Sequence, residues 1–148
     1  MTSAKRVNIV SLKLVPEGSV LYRERSVQSP KDAYELLKAF LVDADREVFV
    51  VVCLDTKNQP TAIHVCHVGS LNASIVHPGE VFKSAILANA ASILVAHNHP
   101  STDPTKSRED IDVTRRLVEA GRIVGIELLD HVIVGEERFV SLKEKGYV

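Results

Sequence analysis

Two histidines one residue apart, His97 and His99, stand at the end of an apolar run, Ser92-Ile93-Leu94-Val95-Ala96, that reads as a short buried strand. On an extended chain residues two apart share a face, so both imidazoles point the same way. Ser107, further on, is a good N-cap for a helical pattern over residues 107–124. Asp110 follows three residues later and sits almost above that serine. On a 3.6-residue period Asp110 lines up with Val113, Leu117, Gly121 and Val124, while Asp112, Arg115 and Glu119 point the other way. A carboxylate on a buried stripe costs free energy unless a cationic group meets it. Two imidazoles and one carboxylate are a common catalytic zinc set, with the fourth position left for water. The plain alternative is an ordinary polar loop followed by a capped helix. It leaves two same-face histidines and a buried-stripe carboxylate each to be explained separately.

The elements that must hold these residues can be read around them. Residues 7–15 alternate in part and suggest a first strand, broken by Pro16-Glu17-Gly18-Ser19, with Val20-Leu21-Tyr22 as a second short one. Ser29-Pro30 reads as an N-cap and first helical residue. Ala33, Leu36, Leu37, Phe40 and Leu41 then recur at helical spacing over 30–43. Arg46 to Leu54 is apolar on both faces, as a central strand covered on each side would be, and Glu47 shares a face with Phe49, Val51 and Cys53. Turn residues 55–60 join it to a returning strand, Thr61 to Val68, which Gly69 ends. His77-Pro78 opens a helix with Val81, Phe82, Ala85, Ile86 and Asn89 along one side. After the helix over 107–124, which Gly125 ends, come a strand from Ile126 to Val134 interrupted at Asp130-His131, and a last one from Arg138 to Leu142. Strands and helices alternate through the middle and hairpins occupy the ends. This predicts an α/β fold, a three-layer α/β/α sandwich on a mixed sheet.

At 148 residues, 45% apolar and 25% charged, the chain fits one soluble globular domain. A formal net charge of −1 gives no global attraction to nucleic acid or to anionic membranes. The first residues carry no long apolar run of the signal-peptide kind, and no stretch approaches the ~18 apolar residues of a spanning helix. A cytoplasmic location is expected. Cys53 and Cys66, both in apolar strand-like runs, read as two small buried thiols in a reducing compartment rather than a disulfide. His64 and Cys66 share a strand face but lack further ligands for a metal site, and His67, His77 and His131 are isolated. Asp103, before a proline, reads as a turn residue, and Glu109 as a first-turn acid favoured by the helix dipole.

The spacing of His97-x-His99, Ser107 and Asp110 is that of the JAMM (MPN-plus) metalloprotease motif. The surrounding text, Leu87-Ala88-Asn89-Ala90, His97-Asn98-His99-Pro100 and Ser107-Arg108-Glu109-Asp110, resembles the bacterial RadC family, whose domain carries that motif. The resemblance covers roughly residue 29 to the C-terminus and leaves residues 1–28 as an extension with one or two short strands. It implies a JAMM domain of cytidine-deaminase-like architecture over 29–148. It further implies one Zn2+ on His97, His99 and Asp110, an upstream glutamate as general base at the position of Glu47, and assistance to the oxyanion from Ser107. Thr102 stands where the family usually has glycine, which bears on loop shape more than on ligation.

The activity so implied is zinc-dependent hydrolysis of a peptide or isopeptide bond, with a protein or peptide as the substrate and a homodimer as a conceivable assembly. Taken alone, Glu47 would be a solvated strand-end charge and Ser107 an N-cap; the resemblance is what argues for more. A zinc deaminase needs His-x-Glu and a later Pro-Cys-x-x-Cys, and neither is present. The rival from another class is a DNA-repair-associated or non-catalytic metal-binding module. Full-length RadC proteins add an N-terminal helix-hairpin-helix region, whereas the extension here is short and has no Gly-rich hairpin motif.

Overall fold

The computed structural model of the protein describes residues 2–69, 76–99 and 106–148. Helix α1 (Pro30–Leu41) is followed by the hairpin β1 (Val48–Leu54) and β2 (Pro60–Val68), then α2 (Pro78–Leu87), β3 (Ser92–Asn98), α3 (Arg108–Val124), β4 (Glu127–Val134) and β5 (Phe139–Ser141). The five strands form one sheet in the order β2-β1-β3-β4-β5. Strand β1 runs antiparallel to both β2 and β3, β3 runs parallel to β4, and β4 antiparallel to β5, so the sheet is mixed. The parallel pair is joined through α3, as a crossover connection requires.

Every residue of β3 and nearly every residue of β1 is buried, as expected for strands covered on both faces. Alternation sorts their side chains into two cores. Val50, Val52, Leu54, Leu94 and Ala96 pack against Leu37 and Leu41 of α1. Phe49, Val51, Cys53, Ile93 and Val95 pack on the other face with Val81, Phe82 and Ala85 of α2 and Val113 and Leu117 of α3. The arrangement is the three-layer α/β/α sandwich that the order of elements predicts.

Helix ends follow local chemistry. Ser29 caps α1 by accepting from the Asp32 N–H, with Pro30 in the first turn. Gly125, at φ +85°, closes α3 in the left-handed conformation that glycine adopts without strain. Gly121 lies inside α3 because a Cβ there would come within 2.4 Å of the Ile126 carbonyl oxygen and 3.2 Å of Phe82, so the missing side chain lets α3 close on α2 and on the chain entering β4.

Several expectations are corrected. Residues 7–15 and 20–22 do not form strands; residues 2–21 are exposed throughout and pair with nothing among the described residues, since alternation alone does not supply a neighbouring strand. Phe40 is exposed, and Tyr34 takes its place on the buried face of α1, where it bonds the Glu136 carbonyl. Ile86 and Val124 also face outward, because the buried arc of each helix is narrower than the apolar run suggests. Strand β4 is continuous through Asp130 and His131: Asp130 accepts from the His131 N–H in its own strand and from the Ser141 hydroxyl and Lys143 N–H at the end of β5, so this buried carboxylate is satisfied without a break in β4. Both cysteines are free thiols, Cys53 buried and Cys66 half-buried. Thr102 and Asp103 lie outside the described residues.

Candidate metal centre

The site lies where β3 ends and α3 begins. His97, the penultimate residue of β3, pairs across the sheet with Phe49 of β1. It therefore projects on the α2/α3 face, as does His99 two residues on. Helix α3 comes back over that face and presents Asp110 from its first turn. The His97 Nε2 lies 3.0 Å from Asp110 Oδ1, and the His99 Nε2 lies 3.3 Å from Asp110 Oδ2. The two rings are 5.0 Å apart, centroid to centroid. His97 and Asp110 are both 1% exposed, while His99 keeps a partly open edge.

Asp110 is oriented by the helix start. Its Oδ2 accepts from the Ser107 N–H at 2.7 Å, and its own N–H donates to Ser107 Oγ at 3.2 Å, a reciprocal capping box. One feature of the sequence thus serves two ends, because the box that begins the helix also fixes the carboxylate in front of the histidines. Burial alone would raise the Asp110 pKa; the imidazoles of His97 and His99 and the Ser107 N–H outweigh it and hold the carboxyl well below the usual carboxylate range.

Glu47 immediately precedes β1. Its carboxylate and the ring nitrogens of His97 and His99 lie within 4.8 Å of one another, a group that could hold a metal ion. Away from this site, no cluster of histidine, cysteine or carboxylate ligands converges in this way among the described residues. His64 Nδ1 approaches Cys66 Sγ at 3.5 Å, but burial pushes that thiol up to about 12, the opposite of what a thiolate ligand needs.

The residues fit a bound cation on two counts. Ligands about 2.0 Å from a tetrahedral ion stand about 3.3 Å from one another, and each imidazole lies at about that distance from one of the two Asp110 oxygens, 3.0 Å for His97 and 3.3 Å for His99. And His97 Nε2 is buried yet has no hydrogen-bond partner among the described residues, although Asp110 Oδ1 stands 3.0 Å away. A buried polar atom left in that state needs a partner of another kind.

Four residues of the site escaped the sequence reading. Asn98, between the two histidines, points to the opposite side and is buried. Its Oδ1 accepts from the Val48 N–H at 2.7 Å, and its Nδ2 donates to the Arg46 carbonyl at 2.9 Å. The amide thus clamps the backbone on both sides of Glu47, whose own carbonyl accepts from the Gly69 N–H. The signal available was an asparagine inside an otherwise apolar strand end. His131, fully buried, places Nε2 2.8 Å from His97 Nδ1 and Nδ1 2.6 Å from the hydroxyl of Thr114. Burial, then the neighbouring His97, keeps His131 well below the usual imidazole range and so neutral. Phe49 lies edge-on to His131 and stacks beside His97.

Residues 27–147 match the family model described as the RadC-like JAB domain. A UPF0758 protein of Methanosarcina barkeri is 54% identical over 125 residues, 84% of this chain and 55% of that protein. One from a Geobacillus strain is 59% identical over 122 residues, 82% of this chain and 54% of that protein. A third, from Caldanaerobacter subterraneus, is 58% identical over 122 residues, 82% of this chain and 52% of that protein. The chain spans about half the length of these relatives, and their names state no activity. A JAB-type domain with a His-His-Glu group fits a metal-dependent hydrolase. No described helix is long and apolar enough to cross a membrane.

Proposed function

The chain belongs to the RadC family of JAB domains, and on that premise we propose that it is a zinc-dependent metallopeptidase acting on a peptide or isopeptide bond. The observation that carries this reading is the convergence of Glu47, His97, His99 and Asp110 around a buried imidazole nitrogen that has no hydrogen-bond partner among the described residues. His97, His99 and Asp110 would hold the metal, and Glu47 would be the general base. Zinc, when bound, acidifies a water to a pKa of about 7 and polarises a carbonyl.

The chain's own residues do the rest. Glu47, on the more open side of the site, takes a proton from the attacking water and returns it to the leaving amine. Its range of positions is narrow because the backbone on either side is held by Asn98. Asp110 stays ionised and fixed by its capping box, so it balances cationic charge without competing for that proton. Ser107, half-buried beside Asp110, directs a hydroxyl toward the oxyanion that forms on the scissile carbonyl.

The test is turnover of a peptide library that includes lysine isopeptides, read by mass spectrometry, with Glu47→Gln as control. The reading expects wild-type cleavage and a loss of about 10²–10⁴-fold in the variant with its zinc retained. Equal turnover by Glu47→Gln would remove the base, and loss of zinc from it would make Glu47 a ligand instead. Salt-dependent retention on DNA with no cleavage would favour the DNA-associated alternative.

A further inference from the structure

His97 can offer its Nε2 lone pair to a cation only in one of its two neutral tautomers, the one with the proton on Nδ1. The residues behind the ring bear on that choice. His97 Nδ1 faces His131 Nε2 at 2.8 Å. His131 Nδ1 faces Thr114 Oγ1 at 2.6 Å. Thr114 Oγ1 lies 2.7 Å from the backbone carbonyl of Asp110, one helical turn back. All three side chains are buried, with Thr114 and His131 fully so.

The direction of each hydrogen bond follows from the far end. A carbonyl oxygen can only accept, so the single Thr114 proton goes to Asp110. The threonine oxygen is then an acceptor toward His131, which must carry its proton on Nδ1. That leaves His131 Nε2 bare and able to accept from His97 Nδ1–H. In the neutral His97 ring Nε2 is therefore unprotonated, in agreement with its lack of a hydrogen-bond partner among the described residues. From this chain, which takes the proposed metal site as its premise, we infer that His131 and Thr114 are positioning residues that set the tautomer of His97 and so present its Nε2 lone pair to the site.

The relay begins and ends on Asp110. One residue thus supplies a carboxylate to the front of His97 and, through its carbonyl, sets the proton order behind it. No change of charge is involved, only the placement of protons on neutral groups. Phe49, edge-on to His131 and stacked beside His97, keeps the rings aligned with the chain of bonds. Partners behind metal-bound histidines commonly contribute 10–100-fold in metal affinity.

The experiment has two parts. Protein labelled with 15N at histidine is first observed metal-free, by long-range 1H–15N correlation, which reports the tautomer of each ring. The inference expects Nδ1–H on both His97 and His131. Nε2–H on His131, donating to His97, would overturn it. Zinc affinity is then measured by competition with a chromogenic chelator for wild type, Thr114→Val and Thr114→Ser. Valine keeps the shape and removes the hydroxyl, whereas serine keeps the hydroxyl and leaves a methyl-sized hole. The relay predicts a 10–100-fold loss in Thr114→Val and affinity within about threefold of wild type in Thr114→Ser. A merely structural role predicts the reverse order, because the hole costs stability and the isosteric valine fits, and that order would overturn the inference. Absence of zinc uptake by wild type together with Nδ1–H on both rings would support the proton order while removing the metal reading, so the two can fail separately.

Discussion

At the scale of single residues, the account rests on a division of labour between two carboxylates. Asp110 is buried, doubly hydrogen-bonded through its capping box and faced by two imidazoles, while Glu47 stands at a strand entrance with partial exposure. Ser107→Ala removes the side-chain half of the capping box and is expected to cost about 1 kcal/mol of stability, by thermal unfolding, together with a fall in turnover. The sign of the pH dependence follows from His131 and Asp110. His131, buried first and next to His97, has its folded pKa depressed below the unfolded value of about 6.5. It stays neutral in the folded chain and takes up a proton on unfolding. Its contribution is therefore present above about pH 6.5 and lost progressively as the pH falls below it. Asp110, also depressed, contributes above the usual carboxylate pKa of about 4, and that contribution is lost as the pH falls further. Urea unfolding of the metal-free protein should show stability falling in both windows, and His131→Phe should flatten the upper one. A stability that stays constant from pH 7 to 5 in wild type would contradict this.

The elements explain both what could be read from the chain and what could not. The helices announced themselves by period and caps: Ser29-Pro30, His77-Pro78 and Ser107 through Asp110 stand at or within one residue of the observed starts. His97, His99 and Asp110 could be brought together by periodicity because each is set by the face of its own element. His131 could not. Strand β4 has an irregularity opposite Ile93 and Leu94, where the pairing passes from Leu128 to Asp130. The extra residue reverses the alternation, so that Leu128 faces α2 and α3 but Val132 and Val134 face α1. Counting in twos from Leu128 therefore puts His131 on the wrong face. The strands expected over 7–15 and 20–22 failed for the converse reason: a strand needs a neighbour, which no local pattern reveals. Two predictions belong here. Asn98→Ala leaves two part-buried backbone groups beside Glu47 without their amide partner and should cost about 1–2 kcal/mol in urea unfolding while lowering kcat. Gly121→Ala, favoured by helix propensity by about 1 kcal/mol, should nevertheless destabilise the protein, because its Cβ meets the Ile126 carbonyl, which cannot move aside.

At the scale of the whole molecule, the sheet is a rigid platform that places chemistry at one corner. The two cores hold β1 and β3 from both sides, and the site occupies the end of that doubly covered pair, where the chain leaves the sheet and enters α3. Residues 2–21 stand apart from both cores and expose Val7, Ile9, Val10, Leu12, Val15 and Leu21. A chain that begins at residue 22 should therefore unfold within about 2 °C of the full chain by calorimetry. A larger fall would mean that the segment contributes to a core. The central claim is that His97, His99 and Asp110 hold one metal ion on this platform. Elemental analysis of purified wild type beside Asp110→Ala, each after incubation with zinc and desalting, addresses it most directly. The account predicts one zinc per chain in wild type and none in the variant. Equal zinc in both, or none in wild type, would contradict it.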